Sequence, residues 1–99
     1  MWYVIIGKDR PNALETRKRV RRAHLQRAKE LLDQGRLLVG GPCPAIDSPD
    51  PGPAGFAGSV IIAEFESLAV AKAWMADDPY VVEGVFASHE VHPFIKVLP

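Results

Sequence analysis

Apolar residues open the chain in an unbroken run, Trp2-Tyr3-Val4-Ile5-Ile6, closed by Gly7. A half-solvated strand would alternate, so this run of aromatic and β-branched residues predicts a strand covered on both faces. From residue 12 to about residue 34 the spacing becomes helical, with Asn12 as its cap, Glu15 as the capping-box partner and Gly35 as its stop. Residues 36–39 read as a second strand that ends at Gly40-Gly41-Pro42, where a sharp turn is expected. Residues 44–58, PAIDSPDPGPAGFAG, carry too much proline and glycine for regular structure, and a loop of that length in a small domain often covers something. A third strand follows over residues 59–65. Ser67 can cap a second helix that runs to about Asp78, where Pro79 breaks it, with a short turn over residues 80–84 and a fourth strand over residues 86 to about 96.

The order βαββαβ is the split βαβ, or ferredoxin-like, arrangement: an α+β fold with a four-stranded antiparallel sheet and two helices on one face. At 99 residues the chain is expected to form one domain, residues 1–99, around one core. Three strands are apolar at successive positions, so the face without helices needs a cover, and a second copy of the chain is the expected one. The expected state is a homodimer.

Charge enters next. Twelve basic residues balance twelve acidic ones, which leaves no long-range field to collect nucleic acid or an anionic membrane. Five of those cations, with a histidine, nevertheless crowd into RKRVRRAHL, residues 17–25. At about 100° per residue, Leu14, Leu25, Ala28, Leu31 and Leu32 mark one side of the first helix, and Arg17, Arg21 and His24 fall on that same side. Lys18, Arg19 and Arg22 fall at the margin or outside, as on any solvated face. Inward arginine and histidine are costly unless paired or engaged with a ligand. On the second helix, Leu68, Ala71 and Met75 mark the apolar stripe and Asp78 lies at its end. Side-by-side helices allow Asp78 to approach His24, fix its ring and support acid and base chemistry. A buried structural ion network with no substrate is the competing reading.

Other signals point away from other chemistries. Gly55-Phe56-Ala57 begins like an RNA-recognition motif, but Gly58-Ser59 breaks it, and acids at Glu64 and Glu66 follow. His89 and His92, three residues apart on a strand, face opposite ways and cannot chelate one ion together. Cys43 is the single cysteine, which fits a reducing compartment, and no apolar run reaches the length of a membrane span. No signal-peptide pattern opens the sequence, so a cytoplasmic protein with no metal, no cofactor, no nucleic acid and no membrane partner is expected.

The stretches LETRKRVRRAHL, GRLLVGGPCPAIDSPDPGPAGFAGSVIIAEFESL and AWMADDPYVVEGVF resemble the YciI-like (YCII-related) proteins of bacteria, over nearly the whole chain. The resemblance implies a ferredoxin-like, dimeric α+β barrel protein of the cytoplasm with an acid and base pair of His and Asp in a pocket between helices and sheet. Position by position, that pair falls on His24 and Asp78, and Arg17, Arg21, Tyr3 and Ser59 match as pocket residues. Arg22 stands where relatives have proline, a departure confined to local helix geometry. Some relatives of this fold act on chlorinated or hydroxylated aromatic and lactone compounds, by dehydrochlorination or isomerisation. The expectation is therefore a small-molecule enzyme in which His24 moves a proton, Asp78 orients it, and Arg17 with Arg21 hold an oxygen of an organic anion. The alternative is a non-catalytic ligand-binding or interaction module with the same dimeric fold.

Overall fold

In the computed structural model, which describes residues 1–99, β1 (Trp2–Asp9) is one of two inner strands of a four-stranded sheet ordered β2-β3-β1-β4. Its partners are β3 (Phe56–Glu64) and β4 (Phe86–Phe94), both antiparallel, and β2 (Leu37–Pro44) pairs antiparallel with β3 at the edge. α1 (Leu14–Asp33) and α2 (Leu68–Ala76) are the main helices, and a single helical turn, α3 (Pro79–Val82), precedes β4. The arrangement is ferredoxin-like. No helix is long and apolar enough to cross a membrane.

Several boundaries differ from the expectation, each for a local reason. Asn12 is not a cap: it sits at φ 60°, a left-handed turn conformation that asparagine tolerates, and α1 starts two residues later without a side-chain cap. The other end behaves as expected. Gly35, at φ 71°, donates to the Leu32 carbonyl while Arg36 N–H donates to the Leu31 carbonyl, the paired bonds of a Schellman stop. β2 does not end at Gly40-Gly41-Pro42 but runs on to Pro44, because an edge strand tolerates prolines whose missing N–H would face solvent. The Pro-rich loop shortens in consequence, with one 3-10 turn at Gly52–Ala54, and β3 begins at Phe56. At Gly58 the strands approach so closely that a Cβ would collide with the Gly7 carbonyl.

The core fills the layer between helices and sheet. Tyr3, Ile5, Ile61, Ala63 and Val91 project from the sheet against Val20, Leu31, Ala71 and Met75. Burial therefore alternates along β1: Tyr3, Ile5 and Gly7 are buried, and Trp2, Val4 and Ile6 are only half-buried on the opposite face. On that second face their register partners are Val60, Ile62 and Phe94 together with Glu64, Glu90 and His92, and Val39 lies opposite Ile62, so the face is apolar along β1 and β3 with polar residues on β4 and at the end of β3.

Candidate active site

Every residue of the site hangs on α1 or on a segment packed against it. Along α1 the buried positions are Arg17, Val20, His24 and Leu31. Arg17, His24 and Leu31 recur every seven residues, two helical turns, and so form one stripe toward the sheet. α2 ends at Ala76, two residues short of the expected end, so Asp78 is not its last residue but the N-cap of α3. Its carboxylate accepts the Tyr80 backbone N–H at 2.9 Å. With Pro79 at the first helical position, this cap fixes the turn and aims the carboxylate at α1.

His24 and Asp78 meet there. Nδ1 of His24 lies 2.9 and 3.1 Å from the two Asp78 oxygens. Asp78 is 1% exposed. A third partner completes its shell, since Arg27 Nη1 donates to Oδ2 at 3.4 Å while its guanidinium lies 4.3 Å from the Trp74 ring centroid. Every buried side-chain nitrogen and oxygen has a hydrogen-bond partner, and His24 Nε2 has none within the chain. That nitrogen is consequently not sealed by protein atoms, and His24 borders two hollows, a cavity against α1 and a void of about 10 Å³ beside Ile5, Met75 and Phe86.

The Tyr80 ring stacks on His24, with centroids 3.9 Å apart and planes 10° from parallel. Arg17 lies 4.7 Å from the same ring. Two helical turns separate Arg17 from His24 by about 10.5 Å along α1, which leaves room for one aromatic ring between them. Burial pushes the Tyr80 hydroxyl above its ordinary pKa, and the positive charges of Arg17 and Arg21 oppose that rise.

Arg17 is committed elsewhere. It forms a forked pair with Asp9, Nε to Oδ2 at 2.9 Å and Nη2 to Oδ1 at 2.8 Å, and also donates to the Gly58 carbonyl and to Ser59 Oγ. The side chains of Arg17 and Asp9 are 6% and 5% exposed, so this is a buried ion pair with its charge matched. Arg21 is the opposite case: it is exposed, faces the cavity, and takes part in no ion pair.

The cavity, about 380 Å³, lies between α1 and the β2 and β3 edge of the sheet. Arg17, Arg21, His24 and Ser59 all border it, together with Tyr80. Tyr3 does not. It is buried in the core with its ring 6.3 Å from Phe65, and the register puts it four residues along β1 from Gly7, the partner of Ser59. At about 3.3 Å per residue that is roughly 13 Å away along the strand. Sequence reasoning passed over Asp9, Arg27 and Tyr80. Arg27 had a signal, because it sits three residues after His24 on the same side of the helix. His89 and His92 pair with Gly7 and Val4, on opposite faces of the sheet.

Comparison with known proteins bears on the family and the fold. The family model described as the YCII-related domain matches residues 1–95. The chain is 57% identical over 97 residues to protein YciI of Escherichia coli O6:H1, covering 98% of this chain and 99% of that protein. It is 55% identical over 97 residues to an uncharacterized protein of Haemophilus influenzae, with the same 98% and 99% coverage. Among solved structures it resembles 5-chloro-2-hydroxyhydroquinone dehydrochlorinase (TftG) of Burkholderia phenoliruptrix AC1100, in complex with 2,5-dihydroxybenzoquinone. That match has a TM-score of 0.84 and 29% identity, over 96% of this chain and 94% of that one.

Proposed function

The chain belongs to the YCII-related domain family, and from that membership we propose that its cavity is the active site of an enzyme acting on a small organic anion. The observation that carries the reading is the open Nε2 of His24 on a ring whose Nδ1 is held by buried Asp78. Asp78 stabilises the tautomer with the proton on Nδ1, which leaves the Nε2 lone pair facing the cavity as a general base. The similarity to a dehydrochlorinase with a quinone in complex supports a small-molecule substrate.

The electron balance is simple. Nε2 takes a proton from carbon or hydroxyl next to a carbonyl, the freed pair becomes a new π bond, and in an elimination the carbon–halogen pair leaves as halide. In an isomerisation the same proton returns from Nε2 to a different carbon. Either path builds negative charge on oxygen, and Arg21 is the cation free to receive it. Arg17 acts through position: its charge is matched by Asp9, and it holds Ser59 and the Tyr80 ring in the cavity wall. A second copy of the chain covers the apolar face of Trp2, Val4, Ile6, Val39 and Phe94 in this reading, and light scattering at micromolar concentration should return twice the chain mass.

The test is chloride release from 5-chloro-2-hydroxyhydroquinone, followed by absorbance of the quinone product. His24→Gln should lower turnover by about 100-fold or more, the usual worth of a positioned proton-transfer group, with circular dichroism unchanged. Retention of more than a tenth of the rate would refute the base assignment. Tight binding of 2,5-dihydroxybenzoquinone with no turnover by the unaltered protein would instead mark a ligand-binding module.

A further inference from the structure

We infer that the ligand of this cavity is an amphipathic organic acid, with an anionic head at Arg21 beside His24 and an apolar tail of roughly eight carbons laid along α1 toward Leu32. The inference rests on the reading of the cavity as the functional site, and it adds the shape and polarity of what enters.

The first observation is a set of apolar side chains that the fold leaves unused. Helical projection assigns Leu25 and Leu32 to the core side of α1, yet they are 42% and 56% exposed. Both border the cavity, as does Ala28. Arg21, Leu25, Ala28 and Leu32 are spaced by four, three and four residues, so they line one face of the helix. Polarity along that line is graded. Arg21 and the acid–base pair stand at one end, and Leu25, Ala28 and Leu32 run toward the other, opposite Leu37 and Ile61 of the sheet, with Lys29 as the one charged side chain among them.

The second observation is on the facing wall. Gly40 pairs with Ile61 on the helix side of the sheet, and a Cβ there would meet Ile61 Cγ1 at 3.4 Å and Leu37 Cδ1 at 3.9 Å, ordinary contact distances. The backbone at Gly40 does not demand glycine, because its φ lies outside the left-handed range. The missing side chain widens the trough between Leu37 and Ile61, at the point where a tail would pass.

Dimensions agree with a tail of this length. His24 to Leu32 is eight residues, about 12 Å along the helix, a length that accommodates an extended eight-carbon chain of about 9 Å with its carboxylate. The cavity of about 380 Å³ falls in the range of small-molecule sites, roughly 300–1,000 Å³, and octanoate is a small ligand of about ten non-hydrogen atoms. Of the other cations on the lining, Arg17 is paired with buried Asp9 and Lys29 lies 3.6 Å from Asp33, so the head is directed to Arg21.

Isothermal titration of the full chain with sodium butanoate, hexanoate and octanoate tests this directly. Each methylene should tighten binding about twofold to fourfold, so octanoate should bind at least about 15-fold tighter than butanoate. Leu32→Asp and Gly40→Val should each flatten that dependence, and Arg21→Ala should weaken octanoate about tenfold or more. Affinity independent of chain length overturns the tail, and octanol binding as tightly as octanoate overturns the head. The His24→Gln variant separates the two proposals. If it keeps the chain-length dependence while turnover proves absent from the unaltered protein, the ligand shape stands and catalysis falls. If chloride release depends on His24 but the acid series is flat, catalysis stands and the ligand shape falls.

Discussion

Replacing Asp9 by Asn keeps the side-chain volume and removes the charge opposite Arg17. Both side chains are about nineteen-twentieths buried, at 5% and 6% exposure, and the forked pair has distances of 2.8 and 2.9 Å. Breaking a buried ion pair by removing one partner costs about 3–5 kcal/mol, because the remaining charge stays in a poor solvent. Arg17 would keep its bonds to Gly58 and Ser59 and its contacts with the Phe56, Tyr80 and Phe86 rings. These place the loss near the lower end, about 3 kcal/mol. In a domain of this size, each kcal/mol moves the thermal midpoint by about 4–8 °C, so a fall of about 12–24 °C is expected. The assay is thermal unfolding at fixed protein concentration, since any self-association would couple stability to concentration. The double variant Asp9→Leu with Arg17→Met supplies the control, because apolar groups of similar size remove both charges together and should recover most of the loss. A midpoint shift below about 4 °C for Asp9→Asn, or a double variant as unstable as the sum of the two single ones, would refute the reasoning.

Three further outcomes rest on the same packing. Gly58→Ala should cost about 3 kcal/mol, the upper range for overpacking, because its Cβ meets the Gly7 backbone, which cannot move aside; Gly41→Ala, with nothing within 4 Å, should be near neutral in the same urea titration. Burial holds the Tyr80 hydroxyl above the ordinary 10.0, so the unfolded chain ionises first and stability present below about pH 10 is lost as pH rises beyond it. Tyr80→Phe should therefore show a shallower alkaline decline in thermal midpoint, and superimposable curves would count against a buried hydroxyl. Arg21→Ala should change stability by no more than about 0.5 kcal/mol, whereas Arg17→Ala should be strongly destabilising; comparable losses would contradict the division between a free and a paired arginine.

Much of the fold was legible because periodicity reports burial. The helical spacing of α1 put Arg17 and His24 on the inward side, where both are buried. Asp78 reached His24 as expected but through a different element: as cap of α3 rather than as the last residue of α2. Other features depend on tertiary position, which no local pattern contains. The continuation of β2 through Pro42 and Pro44 follows from its place at the sheet edge. Asp9 reads as part of a polar strand end in GKDR, yet its position beside Arg17 buries it. Tyr3 points inward as alternation requires, but at the far end of β1 from Ser59. Leu25 and Leu32 illustrate a deeper ambiguity, because an apolar stripe that fills a core and one that lines a cavity have the same spacing.

That ambiguity bears on how a protein with no net charge concentrates cations on one helix face. Most of the charge on the inward side of α1 is cancelled where it stands: Asp9 answers Arg17, and Asp78 is shared by His24 and Arg27. Those pairs fix side chains from β1, α1 and α3 in one arrangement, as buried polar networks do when every member has a partner. A site that must stabilise one developing negative charge gains little from several free cations, since each would also attract solvent and competing anions. Arg21 is left unpaired on the cavity that His24 also lines, while Arg17 and Arg27 on the inward side are neutralised. Under the proposed function, the apolar length of α1 beyond Arg21 would discriminate among anions by what they carry away from the charge. The basic run and the leucines that follow it are on this view parts of a single surface, cationic at Arg21 and aliphatic from Leu25 to Leu32.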